Sequence, residues 1–336
     1  MAGFDLKEGT YEEREVSEDE LWSAFSCVFS SRSRNDSSYK FGFLKAIIDN
    51  LYNVDENLKL SFDQLFSKFA EIYWNLILKY GLRQKACTND NRKSFIEQIL
   101  LAAKDKYGII EIIPYESLSS QMMIDISHQV KMKCKTYVVG ALFEDSKHLF
   151  YSFSKKSEWI QINPRMYEFI CKHKVIIEKL NYYEWARFLE KVNEDKSSDH
   201  ILTKIDESSK RNNLSYYRQI LFEEFENKRC FYCGRLLDPN KIDVDHFVPW
   251  SFIKDDNLWN LVLACPTCNR SKNDRLPDAG YLEILIHRNS EIQIHIQNHD
   301  MAHYQQRMLR YVYSIAKVNG YDRIWSPRSV KSGVTV

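Results

Sequence analysis

The chain has 336 residues, of which 44% are hydrophobic and 28% are charged, with 47 Lys and Arg against 46 Asp and Glu. A chain of this length and composition can bury an ample core, so a disordered, collagen-like or low-complexity protein is excluded. The formal net charge of +1 argues against a strongly basic nucleic-acid coat or an acidic tail, but it is compatible with a local basic site.

The beginning of the chain carries no targeting pattern. Asp5, Lys7 and Glu8 lie within the first ten residues, where a signal peptide would need an apolar segment. No stretch approaches the roughly 20 apolar residues of a membrane helix. We therefore expect a soluble protein in the reducing cytoplasm, without a membrane partner.

Hydrophobic periodicity predicts a mainly helical domain over residues 1–195. The clearest helix begins at Ser61, where Gln64 three residues later completes a capping-box pattern, and it should end near Gly81. Its regularly spaced aromatic side chains are expected to form core. Further helices are predicted over residues 41–52, 94–107, 118–131 and 175–192.

A small β-hairpin is predicted inside this helical domain. Apolar and polar residues alternate over 148–153 and again over 158–162, on either side of a short polar turn. Asn163 followed by Pro164 then predicts the start of another helix, because proline is well suited to the first helical position.

The polar segment 193–199 has no hydrophobic period and predicts a domain boundary near residue 195. We therefore expect a second domain over residues 196–336. Within it, helices are predicted at 216–227 and 301–318.

Two Cys-x-x-Cys pairs, Cys230/Cys233 and Cys265/Cys268, dominate the second domain. Each pair can direct two thiolates at one ion, and four thiolates complete a tetrahedral zinc site. The 31 residues between the pairs, 234–264, exceed the roughly 15–20 of a usual zinc finger, which leaves room for further chemistry. The other cysteines have no partner at ligand spacing and are expected to be core thiols: Cys27, Cys87, Cys134 and Cys171.

Asp245 and His246 end an alternating segment between the cysteine pairs, as expected for a strand that reaches the rim of a sheet. Neighbouring side chains of a strand point to opposite faces, so the carboxylate and the imidazole would serve different tasks. A carboxylate oxygen suits a hard ion such as Mg²⁺, and a neutral imidazole can accept a proton from water near pH 7. Asn269, directly after the last paired cysteine, offers a second oxygen ligand.

Basic side chains near this segment are candidates for phosphate binding. Arg270, Lys272 and Arg275 follow Asn269 on one short segment. The end of the chain carries six cations against one acid, Asp322, and can be interpreted equally as a clamp for a nucleic-acid backbone or as a solvated helix face. These cations are Arg307, Arg310, Lys317, Arg323, Arg328 and Lys331. Three histidines at helical spacing are expected to be solvated or packed rather than metal ligands: His295, His299 and His303.

The Asp245-His246 pair, Asn260 and Asn269 resemble the three motif elements of the HNH endonucleases, and the cysteine pairs resemble the zinc-bearing branch of that family. The stretch 243–256 is also similar to the HNH domain of the RNA-guided CRISPR effector nucleases. The resemblance covers roughly residues 228–277. It implies a ββα-metal fold, so the expected class is α+β, with a mainly helical first domain followed by this zinc module and its flanking helices.

The resemblance also implies a role for each motif residue. His246 would be the general base that activates water, and Asp245 and Asn269 would hold one Mg²⁺ or Mn²⁺ against the scissile phosphate. Asn260 would hold the loop that orients His246, and zinc at the four cysteines would be structural. The implied function is hydrolysis of phosphodiester bonds in nucleic acid, with DNA preferred over RNA and a context of bacterial defence or restriction.

Two other interpretations stay open. The chain could be an HNH nuclease that cleaves RNA, or a noncatalytic zinc-dependent subunit that binds nucleic acid. The first domain could recognise the substrate, regulate the nuclease, bind a regulatory protein or form a homo-oligomer.

Overall fold

The computed structural model describes residues 5–30, 33, 36–85, 93–194, 200–208, 214–224, 228–295, 301 and 304–327. These residues fold as two compact units, 1–210 and 211–336. None of the described helices combines the length and the apolar character that a membrane span requires. Several residues singled out in the sequence lie outside the described residues, namely Cys87, His299, His303, Arg328 and Lys331. The domain bounds drawn from the sequence remain a prediction.

The first unit is mainly helical, as predicted. Its helices are α1 (Glu18–Phe29), α2 (Tyr39–Asp49), α3 (Phe62–Trp74), α4 (Phe95–Lys106), α5 (Ser120–Asp145), α6 (Pro164–Lys172), α7 (Lys174–Val192) and α8 (Ile201–Asp206). The predicted capping box is confirmed, because the Ser61 hydroxyl accepts a hydrogen bond from the Gln64 N–H and the Gln64 side chain accepts one from the Ser61 N–H. After α3 the chain continues as a π-helical turn, Asn75–Lys79, and leaves the helix at Gly81, whose φ is +65°.

Helix α5 extends much further than the predicted segment 118–131. Its additional turns continue the buried stripe through Cys134, Val138 and Leu142, all of which are fully buried. The aromatic side chains of α3 are also core, as expected, and Phe62, Phe66 and Phe69 have no exposed surface. Burial along a shared face is thus what keeps both helices in place.

The predicted hairpin is present as β3 (Tyr151–Ser154) and β4 (Trp159–Ile162), which pair antiparallel. Two short strands, β1 (Glu8–Gly9) and β2 (Lys59–Ser61), extend it to a four-stranded antiparallel sheet in the order β1-β3-β4-β2. The predicted start of α6 is also found, because the Asn163 side chain accepts a hydrogen bond from the Arg165 N–H and Pro164 occupies the first turn.

A buried ion network joins α2 to α7 within the first unit. The Nζ of Lys45 lies 2.8 Å from Oδ2 of Asp49 and 3.6 Å from Oε1 of Glu178, and the side chains of Lys45 and Asp49 are fully buried. Burial lowers the pKa of Lys45, but the charges of Asp49 and Glu178 outweigh it and raise the pKa overall. Lys45 therefore stays charged inside the core.

Replacing Lys45 by alanine should lower the free energy of unfolding by about 3–5 kcal/mol, because it leaves buried carboxylates without their cation. Urea denaturation followed by circular dichroism measures this loss. Lys156→Ala, which removes an exposed lysine of the hairpin turn, should change the free energy of unfolding by no more than about 0.5 kcal/mol. Equal stability of the two variants would contradict the assigned role of Lys45.

The second unit contains the predicted ββα arrangement. Strands β5 (Asp243–His246) and β6 (Leu261–Ala264) pair antiparallel, and α11 (Pro266–Lys272) follows directly. Its other elements are α9 (Ser215–Glu224), α10 (Trp250–Ile253), β7 (Leu276–Pro277), α12 (Ala279–His295), α13 (Gln306–Val318) and β8 (Ile324–Trp325).

Helix α12, which the sequence analysis did not predict, fixes the backbone that faces the β5 strand. The buried guanidinium of Arg288 donates to the Leu261 carbonyl at 2.7 Å, and the Asn289 amide donates to the Trp259 carbonyl at 2.8 Å. These bonds satisfy buried carbonyls at the start of β6, so they hold the strand that pairs with His246 in a fixed position.

Candidate active site

The four paired cysteines converge on one point. Their Sγ atoms all lie within 4.8 Å of one another, and the Sγ atoms of Cys233 and Cys265 are 3.9 Å apart. A tetrahedral zinc ion with Zn–S bonds of about 2.3 Å separates its sulfur ligands by about 3.8 Å. The four cysteines therefore form the predicted cluster, and its donor set and spacing fit Zn²⁺.

Local backbone geometry builds each half of this cluster. In the first pair, Gly234 has a φ of +68°, a conformation that glycine adopts without strain, and its N–H donates to the Cys230 carbonyl. In the second pair, Cys265 is the N-cap of α11 and its Sγ accepts from the Cys268 N–H at 3.5 Å. The Cys265 N–H in turn donates to Sγ of Cys230 at 3.3 Å, so backbone donors support the sulfur atoms of both pairs.

A cavity of about 220 Å³ lies between β5 and α11. Its lining includes Asp245, His246 and Asn269, together with Trp250, Arg270 and Lys272. The structure therefore brings together three of the four motif residues predicted from the sequence.

Asp245 is buried and held from two sides. The Tyr232 hydroxyl donates to its Oδ2 at 2.5 Å, and the Lys272 ammonium lies 3.2 Å from Oδ1 and 3.1 Å from Oδ2. Burial, followed by the charge of Asp245, raises the pKa of Tyr232 well above its usual value, so Tyr232 stays protonated and is the donor. The contact with Tyr232 was not anticipated from the sequence, because it depends on the fold of the first cysteine pair against β5.

Lys272 does not lie on the surface with its neighbouring cations. Its side chain is 1% exposed, and its ammonium also donates to the His246 carbonyl at 2.7 Å. Arg270 is exposed, with its Nε donating to the Pro266 carbonyl, while Arg275 is partly buried and donates to the Lys272 carbonyl. Of these three cations, Arg270 has the open position at the cavity that a phosphate contact needs.

His246 is paired with a carboxylate that the sequence analysis missed. Its Nε2 lies 2.6 Å from Oδ1 of Asp256, and the two side chains are 5% and 2% exposed. An ionised carboxylate only accepts hydrogen bonds, so Nε2 carries a proton and Nδ1 is the acceptor nitrogen of the neutral ring. Among the described residues, no hydrogen-bond partner contacts this Nδ1. The acidic pair Asp255-Asp256, ten residues beyond the histidine, was the available sequence signal.

Asn260 contacts the loop that follows His246. Its Oδ1 accepts from the Val248 N–H at 2.8 Å, and its Nδ2 donates to the Val248 carbonyl at 2.9 Å. The Asn260 carbonyl also accepts from the Phe247 N–H at 2.8 Å. Asn260 is fully buried and does not line the cavity, and its side-chain hydrogen bonds to described residues are with backbone atoms.

Asn269 reaches the cavity from α11. Its Nδ2 donates to Oδ2 of Asp243 at 3.0 Å, which fixes the orientation of the amide and identifies its carbonyl oxygen as the free ligand atom. Asp243 lies two residues before Asp245 and therefore on the same face of β5. An amide carbonyl and carboxylate oxygens at one cavity are the hard donors that Mg²⁺ and Mn²⁺ prefer, so the residues present fit a divalent ion.

The remaining described candidates from the sequence do not line this cavity. Cys134 and Cys171 are buried, as expected of core thiols, whereas Cys27 on α1 is only partly buried. In the last helix, both arms of the Arg310 guanidinium bond to Glu283, so this charge is already paired. The Lys317 ammonium lies 4.6 Å from the centre of the Tyr313 ring.

The sequence comparisons agree with this geometry. Residues 230–278 match the HNH endonuclease family. A stretch of 75 residues is 37% identical to the CRISPR-associated endonuclease Cas9 of Listeria innocua serovar 6a, and this stretch covers 21% of the present chain and 5% of that protein. No solved structure matches the chain at a significant level. The module of cysteine pairs, hairpin and helix at residues 230–278 therefore belongs to the HNH endonuclease family.

Proposed function

We propose that the protein is a divalent-metal-dependent endonuclease that hydrolyses phosphodiester bonds, with DNA as the preferred substrate. One observation carries the proposal: the His246 ring is fixed by Asp256 through Nε2, and it lines the same cavity as Asp245 and Asn269. A neutral imidazole with an open acceptor nitrogen beside oxygen ligands is the arrangement that metal-assisted hydrolysis requires.

In this proposal, each residue of the site has a separate chemical role. His246 accepts a proton from water at Nδ1 as the water attacks phosphorus, and Asp256 stabilises the imidazolium that forms. Asp245 and the carbonyl oxygen of Asn269 would hold Mg²⁺ or Mn²⁺, and the bound ion would supply positive charge that stabilises the phosphate and the departing 3′ oxygen. Asn260 keeps the loop after His246 in place through its two bonds to Val248.

Substrate binding outside the reacting phosphate rests on fewer residues. Arg270 is exposed at the cavity and would bind a neighbouring phosphate, and Arg275, which does not line the cavity, is a second candidate. Lys272 instead bridges Asp245 and the His246 carbonyl, so we assign it to the support of these two residues. Binding should therefore depend weakly on salt, because few phosphates are neutralised.

The helical first unit would recognise the substrate, regulate the nuclease or bind a protein partner. A role in bacterial defence is part of the proposal, and the CRISPR-associated relative is what supports it. That relative is matched over 5% of its length, so the properties of its other parts are not transferred to this chain.

The test is a cleavage assay with the full chain on duplex DNA, single-stranded DNA and RNA, with Mg²⁺, with Mn²⁺ and without added divalent ion. We expect DNA cleavage that requires the added ion. Cleavage of RNA alone would establish the RNA-cleaving alternative. Salt-sensitive binding without cleavage, unchanged by Asp245→Ala, would establish a noncatalytic nucleic-acid-binding subunit.

Asp256→Asn should reduce the cleavage rate by about 10²-fold, within the range that general-base catalysis contributes. The asparagine amide can donate to Nε2, which favours the tautomer with the proton on Nδ1 and blocks proton transfer from water. Single-turnover kinetics measure the rate, and ¹⁵N NMR of the imidazole measures the tautomer.

Asp322→Asn is the control for this variant, since it removes an exposed carboxylate of the same unit. It should leave both the rate and the tautomer unchanged. An Asp256→Asn variant that keeps the wild-type rate would show that the carboxylate does not act through His246.

A further inference from the structure

The first cysteine pair contributes more to the cavity than its sulfur atoms. Tyr232 lies between Cys230 and Cys233, and its side chain extends to Asp245, where the hydroxyl donates to Oδ2 at 2.5 Å. Tyr232 is 4% exposed and Asp245 is 6% exposed, so water does not replace this bond readily. A residue held between two zinc ligands therefore directly contacts a proposed ligand of the catalytic metal.

The Tyr232 ring has little freedom to move. Its centroid lies 5.1 Å from that of Trp325 and 5.7 Å from that of Tyr281, both in edge-to-face geometry. The Tyr281 hydroxyl donates to the backbone carbonyl of Tyr232 at 2.9 Å, which fixes the main chain between the two cysteines. The position of the Tyr232 hydroxyl is therefore fixed by the backbone between the two cysteines and by the packed rings of Trp325 and Tyr281.

The two donors on Asp245 act differently on its carboxylate. The Lys272 ammonium lies at nearly equal distances from both oxygens, 3.2 and 3.1 Å, and so does not distinguish between them. The Tyr232 hydroxyl bonds to Oδ2. Tyr232 therefore fixes the rotation of the carboxylate, while Oδ1 keeps the Lys272 ammonium as its donor.

We propose that Tyr232 is a positioning residue that orients Asp245 from the loop between Cys230 and Cys233. The zinc-binding cysteine pairs would then set the affinity of the divalent-metal site. This inference rests on the proposed function, because it takes Asp245 as a ligand of the catalytic ion. It assigns the zinc module a second task besides holding the fold. Supporting contacts of this kind typically change metal affinity by about 10- to 100-fold.

The variant Tyr232→Phe tests the inference, since it removes the hydroxyl and keeps the ring against Trp325 and Tyr281. Mn²⁺ affinity of the zinc-loaded full chain is measured by electron paramagnetic resonance of the free ion. We expect about 10-fold weaker Mn²⁺ binding at an unchanged zinc content. The matched control is Tyr313→Phe, which removes another buried tyrosine hydroxyl whose partner is the Pro277 carbonyl, and it should bind Mn²⁺ as the wild type does.

Mn²⁺ affinity equal to that of the wild type would overturn the inference. Loss of zinc from Tyr232→Phe would also overturn it, because the hydroxyl would then stabilise the cysteine cluster and not the Asp245 carboxylate. The proposed function fails separately, if the wild type cleaves no nucleic acid while its Mn²⁺ affinity still depends on Tyr232.

Discussion

Replacing Cys268 by serine should remove zinc from the protein and unfold the module at residues 228–277. Structural zinc sites bind with apparent free energies of about 10–16 kcal/mol, and that energy is available to folding only when all ligands are present. The module is small, with a hairpin of two four-residue strands and a seven-residue helix, and the cysteine cluster joins the loop of the first pair to the start of that helix. Loss of one thiolate should therefore separate β5 from α11 and abolish cleavage.

Elemental analysis and hydrogen exchange measure this effect. The wild type should hold about one zinc per chain, and its amides in β5, β6 and α11 should be protected. Cys27→Ser serves as the control, because Cys27 lies in the first unit and is not part of the cysteine cluster. A Cys268→Ser protein with a full zinc content and wild-type protection would show that the four cysteines do not form a structural site.

Replacing His246 by alanine should reduce cleavage by about 10²- to 10⁴-fold, the usual contribution of a general base. His246→Asn should be equally inactive and better folded, since an amide can still donate to Asp256 but cannot accept a proton from water. The large effect is expected because His246 is the only histidine among the described residues that line the cavity.

Single-turnover cleavage with each variant at the same Mg²⁺ concentration gives the rates. The control is His287→Ala, which removes a histidine of α12 whose side chain is 79% exposed. It should cleave at the wild-type rate. Equal rates for His246→Ala and the wild type would eliminate His246 as the base, provided that both proteins hold zinc.

The parts of the site that could be predicted from the sequence are those encoded by short spacing. The spacing of two residues between paired cysteines indicates a metal site. The alternating segment that ends at Asp245 and His246 indicates a strand that reaches the rim of a sheet. The contacts of Lys272, in contrast, could not be predicted from short spacing. It lies three residues after Asn269 and therefore on a similar face of α11, but only its burial reveals that it bonds to Asp245 rather than to a phosphate.

Contacts between distant loops were not predictable in this way. Asp256 contacts His246 from ten positions further along the chain, beyond the short helix α10, and Tyr232 contacts Asp245 from thirteen positions before it. Neither pair has a fixed period, because the intervening turns decide which side chains meet. Strands β1 and β2 were missed for a related reason, since two or three residues are too few to show alternation.

In the helical first unit, local caps could be predicted from the sequence but the packing between helices could not. The capping box at Ser61 marked the start of α3 correctly, because a cap is a local hydrogen-bond pattern. The buried pair of Lys45 and Asp49 could not be distinguished from an exposed i,i+4 pair by spacing alone. Burial depends on the packing of α2 against its neighbours, and the sequence pattern of one helix does not specify that packing.

The most direct test of the central claim is cleavage of DNA by the full chain with Mg²⁺ in water enriched in ¹⁸O, followed by mass spectrometry of the product ends. Attack of water on phosphorus with departure of the 3′ oxygen predicts 3′-hydroxyl ends and 5′-phosphate ends that carry one ¹⁸O atom. Products with 3′-phosphate ends, or intact DNA from a zinc-loaded protein, would contradict the account.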